Sequence, residues 1–319
     1  MSDAAQSAMS SFGTVGLIGA SGLIGGGFRL QLEGHPVITF GRSRGEDRWL
    51  DLESPPTTGE FAGIDTLIHA GGIRDEDVRH DATMAMRRAD DGTRALYRAA
   101  LDAGVRRFIH VSSAHVYGSL DRIIDENTPP APSGVYATAH LASEAALADQ
   151  LAEYGATAVA VRPNAVYGMT FDPSRFIRWS LVPFAFPRAA LAGEIQVNAP
   201  RVLRNFVSTG MIARQSLALL DRLGQPGLVP LNTIGPDDLS MIAFAEQCAM
   251  MARSMGLGNV QVIAGDNTAC PPFAYRSLHA QPSDATELPE FLSQYLAWLA
   301  RSRDGVDGRS TTTHQRGFA

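Results

Sequence analysis

The chain has 319 residues and a formal net charge of -6, and 45% of its residues are hydrophobic while 19% are charged. Such values are typical of a globular protein with more than one lobe, and the acidic balance excludes a general binder of nucleic acid or anionic membranes. No apolar run approaches the roughly 18 residues that a membrane-spanning helix needs, and residues 1–11 lack the features of a secretory signal. We expect a cytoplasmic protein without a membrane or nucleic-acid partner.

The basic residues restrict the possible chemistry, because all 27 of them are arginine. The absence of lysine excludes a Schiff base, a P-loop lysine and a lysine general base. The two cysteines, Cys248 and Cys270, have neither zinc-site spacing nor a disulfide framework. No group of histidines or carboxylates has metal-ligand spacing, so we expect no metal.

Strands and helices alternate along the first half of the chain. Apolar runs predict strands at 14–18, 37–40, 64–69, 107–112 and 157–161, with helices at 21–32, 82–103 and 135–154. This alternation indicates βαβ units and a parallel sheet with helices on both faces. After Arg162, five prolines between 163 and 200 break the pattern. Helices are predicted again at 210–223, 239–255 and 289–300.

The expected fold class is α/β, a Rossmann-type doubly wound parallel sheet with a smaller C-terminal α/β substrate lobe. The expected Rossmann domain covers 12–165 with a return segment at about 205–235, and the expected substrate-binding lobe covers 166–204 and 236–302. Residues 1–11 and 303–319 are polar and small, which predicts disordered tails.

A glycine-rich turn lies directly between the first strand and the first helix, with the sequence Gly19-Ala20-Ser21-Gly22-Leu23-Ile24-Gly25. In a dinucleotide-binding turn, the first glycine permits the tight bend, the second lets the backbone approach a pyrophosphate, and the third allows close packing of helix on strand. The helix N-terminus then offers N–H groups to phosphate oxygens. In this context the motif predicts a nicotinamide dinucleotide as cofactor.

The end of the second strand bears on the choice between NAD and NADP. An acidic residue there would bind a ribose 2′-hydroxyl, but this position is Gly41, and Arg42 follows. A guanidinium can clamp a 2′-phosphate. We therefore expect NADP. NAD is the alternative, in which case Arg42 is only a solvated charge on the loop.

Further motifs occur in a fixed order over about 13–298. They are Gly19-x-x-Gly22-x-x-Gly25, Asp51-Leu52, His69-Ala70-Gly71-Gly72, Gly92-Thr93, Ser112-Ser113-Ala114-His115-Val116-Tyr117-Gly118, Tyr136 with Glu144, Arg162-Pro163-Asn164, Tyr167-Gly168, Arg204-Asn205-Phe206 and Asn232-Thr233-Ile234-Gly235. In this ordered set the chain resembles the extended short-chain dehydrogenase/reductase family, in the branch of NAD-dependent epimerases and dehydratases. Members of that branch mostly act on sugar nucleotides.

The resemblance implies roles for individual residues. Tyr136 would be the acid/base that moves the hydroxyl proton, and Ser113 would hydrogen-bond the reacting oxygen. Arg204 would grip the diphosphate of a nucleotide sugar. From their positions, His115 and Asn164 are also expected to face the substrate with Ser113, and a structural role is the alternative for His115. The expected cofactor contacts are Gly19, Ser21, Gly22, Leu23, Ile24, Gly25, Arg42, Asp51, Leu52, Ala70, Gly71, Gly72, Tyr136, His140 and Pro163.

The sequence departs from the family at one catalytic position. The family has a lysine four residues after the tyrosine, where this chain has His140. The lysine holds the ribose hydroxyls and lowers the tyrosine pKa, which is ~10 when unperturbed. An imidazole supplies a positive charge only when protonated, with an unperturbed pKa of ~6.5. Three interpretations remain open: a lower pH optimum, a reductase in which protonated tyrosine is already the acid, or an inactive site.

The first functional hypothesis is an NADP-dependent reductase of 4-keto sugar nucleotides, or a related epimerase, with Ser113, Tyr136 and His140 as catalytic residues. A dehydratase is disfavoured because no acidic pair follows Ser113. The alternatives are a catalytically weak dinucleotide-binding protein and a reductase of a non-sugar ketone. Many relatives dimerise through a four-helix bundle, so the helices at 82–103 and 135–154 predict a homodimer.

Overall fold

The computed structural model describes residues 12–42, 44–170, 180–236, 238–266, 269–282 and 287–304. The chain divides into two compact units. The larger unit takes its described residues from 12–170, 202–239 and 270–282, and the smaller takes them from 180–201, 240–269 and 287–304. The functional domain boundaries expected from the sequence stay a prediction.

The strands and helices are numbered in chain order. The strands are β1 Val15–Ile18, β2 Val37–Gly41, β3 Arg48–Trp49, β4 Thr66–His69, β5 Arg107–Val111, β6 Ile123–Ile124, β7 Thr157–Pro163, β8 Ala165–Tyr167, β9 Glu194–Val197, β10 Leu203–Ser208, β11 Gly227–Thr233, β12 Asp238–Ser240, β13 Gln261–Ala264 and β14 Ala274–Tyr275. The helices are α1 Leu23–Gln31, α2 Asp75–His80, α3 Ala82–Arg87, α4 Thr93–Asp102, α5 Gly134–Tyr154, α6 Val182–Leu191, α7 Thr209–Arg222, α8 Met241–Ser254 and α9 Glu287–Asp304.

The larger unit is organised around a parallel sheet of seven strands in the order β11-β7-β5-β4-β1-β2-β3. Strand β1 pairs in parallel with both β2 and β4, so the strand order reverses direction at β1. In an open parallel sheet of this kind, ligands bind at such a reversal, beyond the carboxyl ends of the strands. The predicted doubly wound Rossmann-type fold is confirmed.

Each face of this sheet packs against a separate layer of apolar side chains. On one face, Leu17 and Ile109 belong to a buried cluster with Phe28 of α1 and Met211 of α7. On the other face, Phe108 belongs to a buried cluster with residues of α4 and α5. Alternate residues of one strand therefore enter opposite layers, as the period of two in a strand requires.

The helix expected at 82–103 contains an irregular turn. A π turn at Arg88–Gly92 separates α3 from α4. A Cβ atom on Gly92 would lie 2.5 Å from the carbonyl oxygen of Leu52, so only glycine permits this close approach. The Ser143 hydroxyl donates a hydrogen bond to the Ala89 carbonyl at 2.8 Å and so ties this turn to α5.

The proline-rich stretch after β7 holds regular structure that periodicity did not predict. Helix α6 accommodates Pro183 in its first turn, where no N–H partner is needed, and includes Pro187 within its length. In the smaller unit, the α6 ring of Phe184 packs edge-to-face on Phe291 and Tyr295 of α9. This unit also contains α8 and the parallel pair of β9 and β13.

In the larger unit, strand β11 carries a proline, Pro230, and lies at the edge of the seven-stranded sheet. An edge strand tolerates a residue without an N–H group. Strands β12, β10 and β8 form a separate three-stranded sheet, and β14 pairs with β6.

The tails expected at 1–11 and 303–319 lie outside the described residues, except that α9 extends to Asp304. Within the described part of the chain, no helix combines the length and the apolar character that a membrane crossing requires.

Candidate active site

The glycine-rich turn closes tightly between β1 and α1. Gly19 has a positive φ of 81°, and its N–H donates to the Phe40 carbonyl of β2 at 3.3 Å. A Cβ on Gly25 would lie 2.0 Å from the Gly19 carbonyl oxygen, so the start of α1 can pass this close only with glycine. Gly22 is the N-cap of α1 and caps it with no side chain. The N–H groups of the first turn, which includes Leu23 and Ile24, therefore suit phosphate oxygens.

The loop that follows β4 lies beside this turn. The Ala70 N–H donates to the Ile18 carbonyl at 3.0 Å, and a Cβ on Gly19 would lie 2.8 Å from the Gly71 nitrogen. A Cβ on Gly72 would lie 3.5 Å from the His140 ring. The structure thus brings the turn, the 70–72 loop and His140 to one edge of the sheet. This cradle of backbone groups fits a dinucleotide.

The residues expected near the adenosine lie beyond β2. The side chain of Arg42 is 62% exposed, and its guanidinium lies 4.0 Å from the Asp51 carboxylate. Leu52 lies against Gly92 of the π turn. The structure therefore brings Arg42 and Asp51 together, with Arg42 already beside a carboxylate.

Three aromatic rings form a row at the start of α5. The rings of Tyr136 and His140 meet edge-to-face with centroids 4.6 Å apart, one helical turn from each other. The ring of His115 meets Tyr136 in the same way at 5.8 Å. Ser113 is 5% exposed, and its hydroxyl accepts the His115 N–H at 3.2 Å. The predicted acid/base, its histidine partner and the serine turn therefore come together.

The remaining expected substrate residues are partly buried. Burial lowers the pKa of Arg204, whose Nη1 donates to the Leu203 carbonyl at 2.7 Å. Burial also lowers the pKa of His115, and the nearby positive charge of Arg204 lowers it further. Among the described residues, the buried Nδ2 of Asn164 has no hydrogen-bond partner. Pro163 ends β7, opposite Thr233 of β11.

A buried polar cluster lies at the ends of β4 and β5, and the sequence reasoning did not assign it to the site. His69 and His110 are neighbours on these paired strands. The Tyr97 hydroxyl lies 3.1 Å from Nδ1 of His69 and 2.7 Å from Nδ1 of His110. The hydroxyl has one proton, so it donates to one ring and accepts from the other. The two histidines must therefore be different tautomers.

Burial keeps this cluster uncharged at neutral pH. It lowers the pKa of His69 to about 4, despite a hydrogen bond with the Gly71 backbone. Burial and the charges of His69 and His140 lower the pKa of His110, and burial raises that of Tyr97. Because His69 precedes the 70–72 loop and His110 precedes Ser112, Tyr97 ties the two strand ends that carry the site. The sequence signal that could have indicated this cluster was the presence of His69, Tyr97 and His110 within otherwise apolar segments.

A second buried network joins α5 to the sheet. The Arg162 guanidinium donates to both carboxylate oxygens of Glu144 at 3.0 and 2.5 Å. It also lies 4.9 Å above the Tyr117 ring, at the end of the serine turn. The Tyr117 hydroxyl donates to Asn232 Oδ1 at 2.8 Å. The Tyr275 hydroxyl donates to the Arg162 carbonyl at 2.6 Å and lies 3.0 Å from the same Asn232 Oδ1. The sequence motifs at these positions therefore form the support behind the row of rings.

Comparisons with known proteins agree with this geometry. The model of the NAD dependent epimerase/dehydratase family matches residues 15–225. The chain is 39% identical to mouse dTDP-D-glucose 4,6-dehydratase over 164 residues, which are 51% of this chain and 44% of that protein. It is 27% identical to 3-beta-hydroxysteroid dehydrogenase from Mycolicibacterium neoaurum over 176 residues, 49% of this chain and 48% of the relative. The matches thus span less than half the length of these curated relatives.

Solved structures share the fold. MoeE5 in complex with UDP-glucuronic acid and NAD superposes with a TM-score of 0.73 at 23% identity, covering 91% of this chain and 100% of that one. UDP-glucose 4-epimerase from Thermotoga maritima gives 0.73 at 17% identity, covering 91% and 99%. RMD from Pseudomonas aeruginosa complexed with NADPH gives 0.69 at 20% identity, covering 89% and 98%. At these identities the likeness establishes the fold alone.

Proposed function

The chain belongs to the NAD dependent epimerase/dehydratase family, and from that membership we propose that it is an oxidoreductase that binds a nicotinamide dinucleotide at the glycine-rich turn. It transfers hydride between nicotinamide and a secondary alcohol or ketone. The observation that carries this proposal is the packing of Tyr136 against His140, beside the serine turn and the 70–72 loop. When bound, the dinucleotide supplies or accepts the hydride.

The chain's own residues supply the proton and hold the substrate oxygen. Tyr136 donates the proton that a reduced ketone needs, and Ser113 hydrogen-bonds the same oxygen. A tyrosine near its unperturbed pKa of ~10 is protonated at neutral pH, which suits an acid. With an imidazole at 140 in place of a permanent cation, the site favours the protonated tyrosine. We therefore propose reduction as the main direction, with epimerisation as the related alternative.

Arg204 supports a nucleotide sugar as the substrate. Its half-buried guanidinium lies near His115, and a planar fork of donors matches diphosphate oxygens. One of the relatives compared above is named for a sugar-nucleotide substrate and another for a steroid substrate. A non-sugar ketone is therefore the alternative substrate. Replacement of Arg204 by Met is expected to raise KM for a nucleotide sugar and to leave KM for a simple ketone unchanged.

The decisive test is the turnover of Tyr136→Phe with NADH or NADPH and a panel of keto nucleotide sugars and simple ketones. Loss of a general acid is expected to lower kcat by about 100-fold or more. Tyr154→Phe is the matched control, because this tyrosine is on the same helix and its hydroxyl bonds only to Asp102 in the described structure. Unchanged kcat in Tyr136→Phe would refute the role of Tyr136.

A second candidate function is a dinucleotide-binding protein with little or no turnover. The replacement of lysine by His140 and the uncharged cluster behind it favour this alternative. It predicts dinucleotide binding with no turnover across the panel between pH 5 and 9. Turnover of any panel member at a rate that Tyr136→Phe abolishes would exclude it.

Three further expectations stay predictions. The sequence favours NADP(H) through Arg42, since a guanidinium after β2 can meet a 2′-phosphate, whereas the Asp51 carboxylate 4.0 Å from that guanidinium favours NAD(H). The exposed residues of α5 include Ala145, Ala148 and Ala152, which suit the close helix packing of a homodimer. A monomeric mass in solution would refute that assembly. The cytoplasmic location rests on the sequence alone.

A further inference from the structure

The chain makes a short return after β2, at the edge of the seven-stranded sheet. Strand β3 pairs in parallel with β2, with Gly41 opposite Trp49, and the Leu50 N–H donates to the Gly41 carbonyl at 3.1 Å. Parallel strands are normally joined by much longer connections. The connection between β2 and β3, in which residues 42 and 44–47 are described, is therefore unusually short.

A reciprocal set of hydrogen bonds holds this return. The Asp47 carboxylate accepts both the N–H and the hydroxyl of Thr39, at 2.8 and 2.9 Å, and the Thr39 hydroxyl accepts the Asp47 N–H at 3.1 Å. The backbone hydrogen bond from Thr39 lowers the pKa of Asp47, so this carboxylate stays charged. These hydrogen bonds to Asp47 also fix the backbone position of the preceding residue, Glu46.

The residue before Asp47 is Glu46, and its side chain covers the bare end of β2. A Cβ on Gly41 would lie 3.2 Å from Glu46 Cγ and 3.6 Å from Glu46 Oε1. The side chain of Glu46 therefore lies directly beside the end of β2, within contact distance of the place where a residue 41 side chain would begin. The same strand end is joined to the glycine-rich turn by the Gly19 N–H, which donates to the Phe40 carbonyl.

We propose that Glu46 is the carboxylate that recognises the adenosine ribose of the bound dinucleotide, and that it gives the chain a preference for NAD(H) over NADP(H). The proposal rests on the proposed function, because it assumes a dinucleotide at the glycine-rich turn. A carboxylate accepts hydrogen bonds from the 2′- and 3′-hydroxyls and repels a 2′-phosphate. Gly41 stands where an acidic residue would end β2, and in this proposal Glu46, five residues later, provides the carboxylate instead.

The surroundings of Arg42 support the same preference. Its guanidinium faces the Asp51 carboxylate at 4.0 Å and is 62% exposed. Solvent and a neighbouring carboxylate both weaken the attraction of this cation for a phosphate. Arg42 and Glu46 therefore make opposite predictions for the cofactor, and substitutions at the two positions separate them.

The test measures the Kd values of NADH and NADPH for the full chain by fluorescence titration at fixed ionic strength. The wild-type chain is expected to bind NADH more tightly. Glu46→Gln keeps the shape and removes the charge, so it is expected to weaken NADH binding by about tenfold and to leave NADPH binding equal or tighter. Glu33→Gln, an exposed carboxylate after α1, is the control and should change neither Kd.

Two further variants complete the design. Arg42→Ala is expected to leave the preference for NADH in place, and Asp47→Asn to reduce it by loosening the return. Tighter NADPH binding by the wild-type chain that Arg42→Ala abolishes would overturn the role of Glu46. An unchanged ratio of the two Kd values in Glu46→Gln would also overturn it, while leaving the proposed function intact. Absence of binding by either dinucleotide would instead overturn the proposed function, and the inference with it.

Discussion

The buried ion pair between Glu144 and Arg162 provides a quantitative test of how α5 is held against the sheet. Both side chains are nearly inaccessible, at 4% and 6% exposure, and two hydrogen bonds join them. Burial lowers the pKa of Arg162, but the hydrogen bonds and charge of Glu144 raise it by more, so the guanidinium stays charged. Replacing Glu144 by Gln leaves that charge buried without a counter-charge.

Removal of one partner of a buried pair typically costs about 3–5 kcal/mol. The amide introduced by this substitution can still accept one hydrogen bond, so we expect Glu144→Gln to lower the free energy of unfolding by about 3 kcal/mol, near the bottom of that range. At about 2.1 cal/mol/K per residue, a chain of 319 residues that unfolds as one unit should show a fall of about 4–5 °C in its thermal midpoint.

The matched control is the pair of Arg98 and Glu153, which also forms two hydrogen bonds, at 3.1 and 3.3 Å. These side chains are 49% and 61% exposed, and Arg98 also lies 3.6 Å from the Asp102 carboxylate, so the control differs in burial and in keeping a second counter-charge. Glu153→Gln is expected to leave the midpoint nearly unchanged, because an exposed pair is screened by solvent. Thermal and urea unfolding followed by circular dichroism would measure both variants. An equally small effect in Glu144→Gln would refute the assigned role of burial.

Three other predictions follow from particular contacts. Gly25→Ala places a methyl group 2.0 Å from the Gly19 carbonyl oxygen and should weaken dinucleotide binding by more than about tenfold. Gly224→Ala is the control, because no atom lies within 4 Å of the added carbon. Equal Kd values for the two variants would contradict the tight turn. Tyr97→Phe removes the hydroxyl shared by His69 and His110 and should cost about 1–3 kcal/mol of unfolding free energy; an unchanged urea midpoint would argue against the cluster. Burial raises the pKa of Asp77, while the hydrogen bonds and charge of Arg74 and the charge of Arg88 lower it by more, to about 2. The stabilisation by Asp77 is therefore present above the unfolded pKa of about 4 and is lost as the pH falls through about 2. Asp77→Asn should reduce the fall of the thermal midpoint between these pH values. A fall equal to that of the wild-type chain would refute this.

Local patterns in the sequence were sufficient for the main architecture. The alternation of buried strands with helices predicted the doubly wound sheet, since strand and helix periodicities are properties of neighbouring residues. The turn from Gly19 to Gly25 was recognisable because its glycines are required by contacts within the same turn. Periodicity was less informative after Arg162, where the prolines of α6 and β11 lie at a helix start, within a helix and on a sheet edge.

Parts of the candidate site could not be derived from residue order. Glu46 covers the end of β2 because Asp47 bonds to Thr39, a pairing that depends on how the chain returns. His69, Tyr97 and His110 meet because β4 and β5 pair in one register and α4 packs against them. The first contact depends on the path of one short connection, and the second joins two strands and a helix that are separate along the chain.

By itself, the sequence determined the fold class, the glycine-rich turn, the family and the departure from its lysine at His140, because these depend on residue identity and short spacing. Only the tertiary structure decided which carboxylate lies beside the end of β2, which polar groups are buried together at the ends of β4 and β5, and where the charge of Arg162 is neutralised. The physical reason is that burial, hydrogen bonding and charge pairing depend on distances in space, which only strand register and helix packing fix.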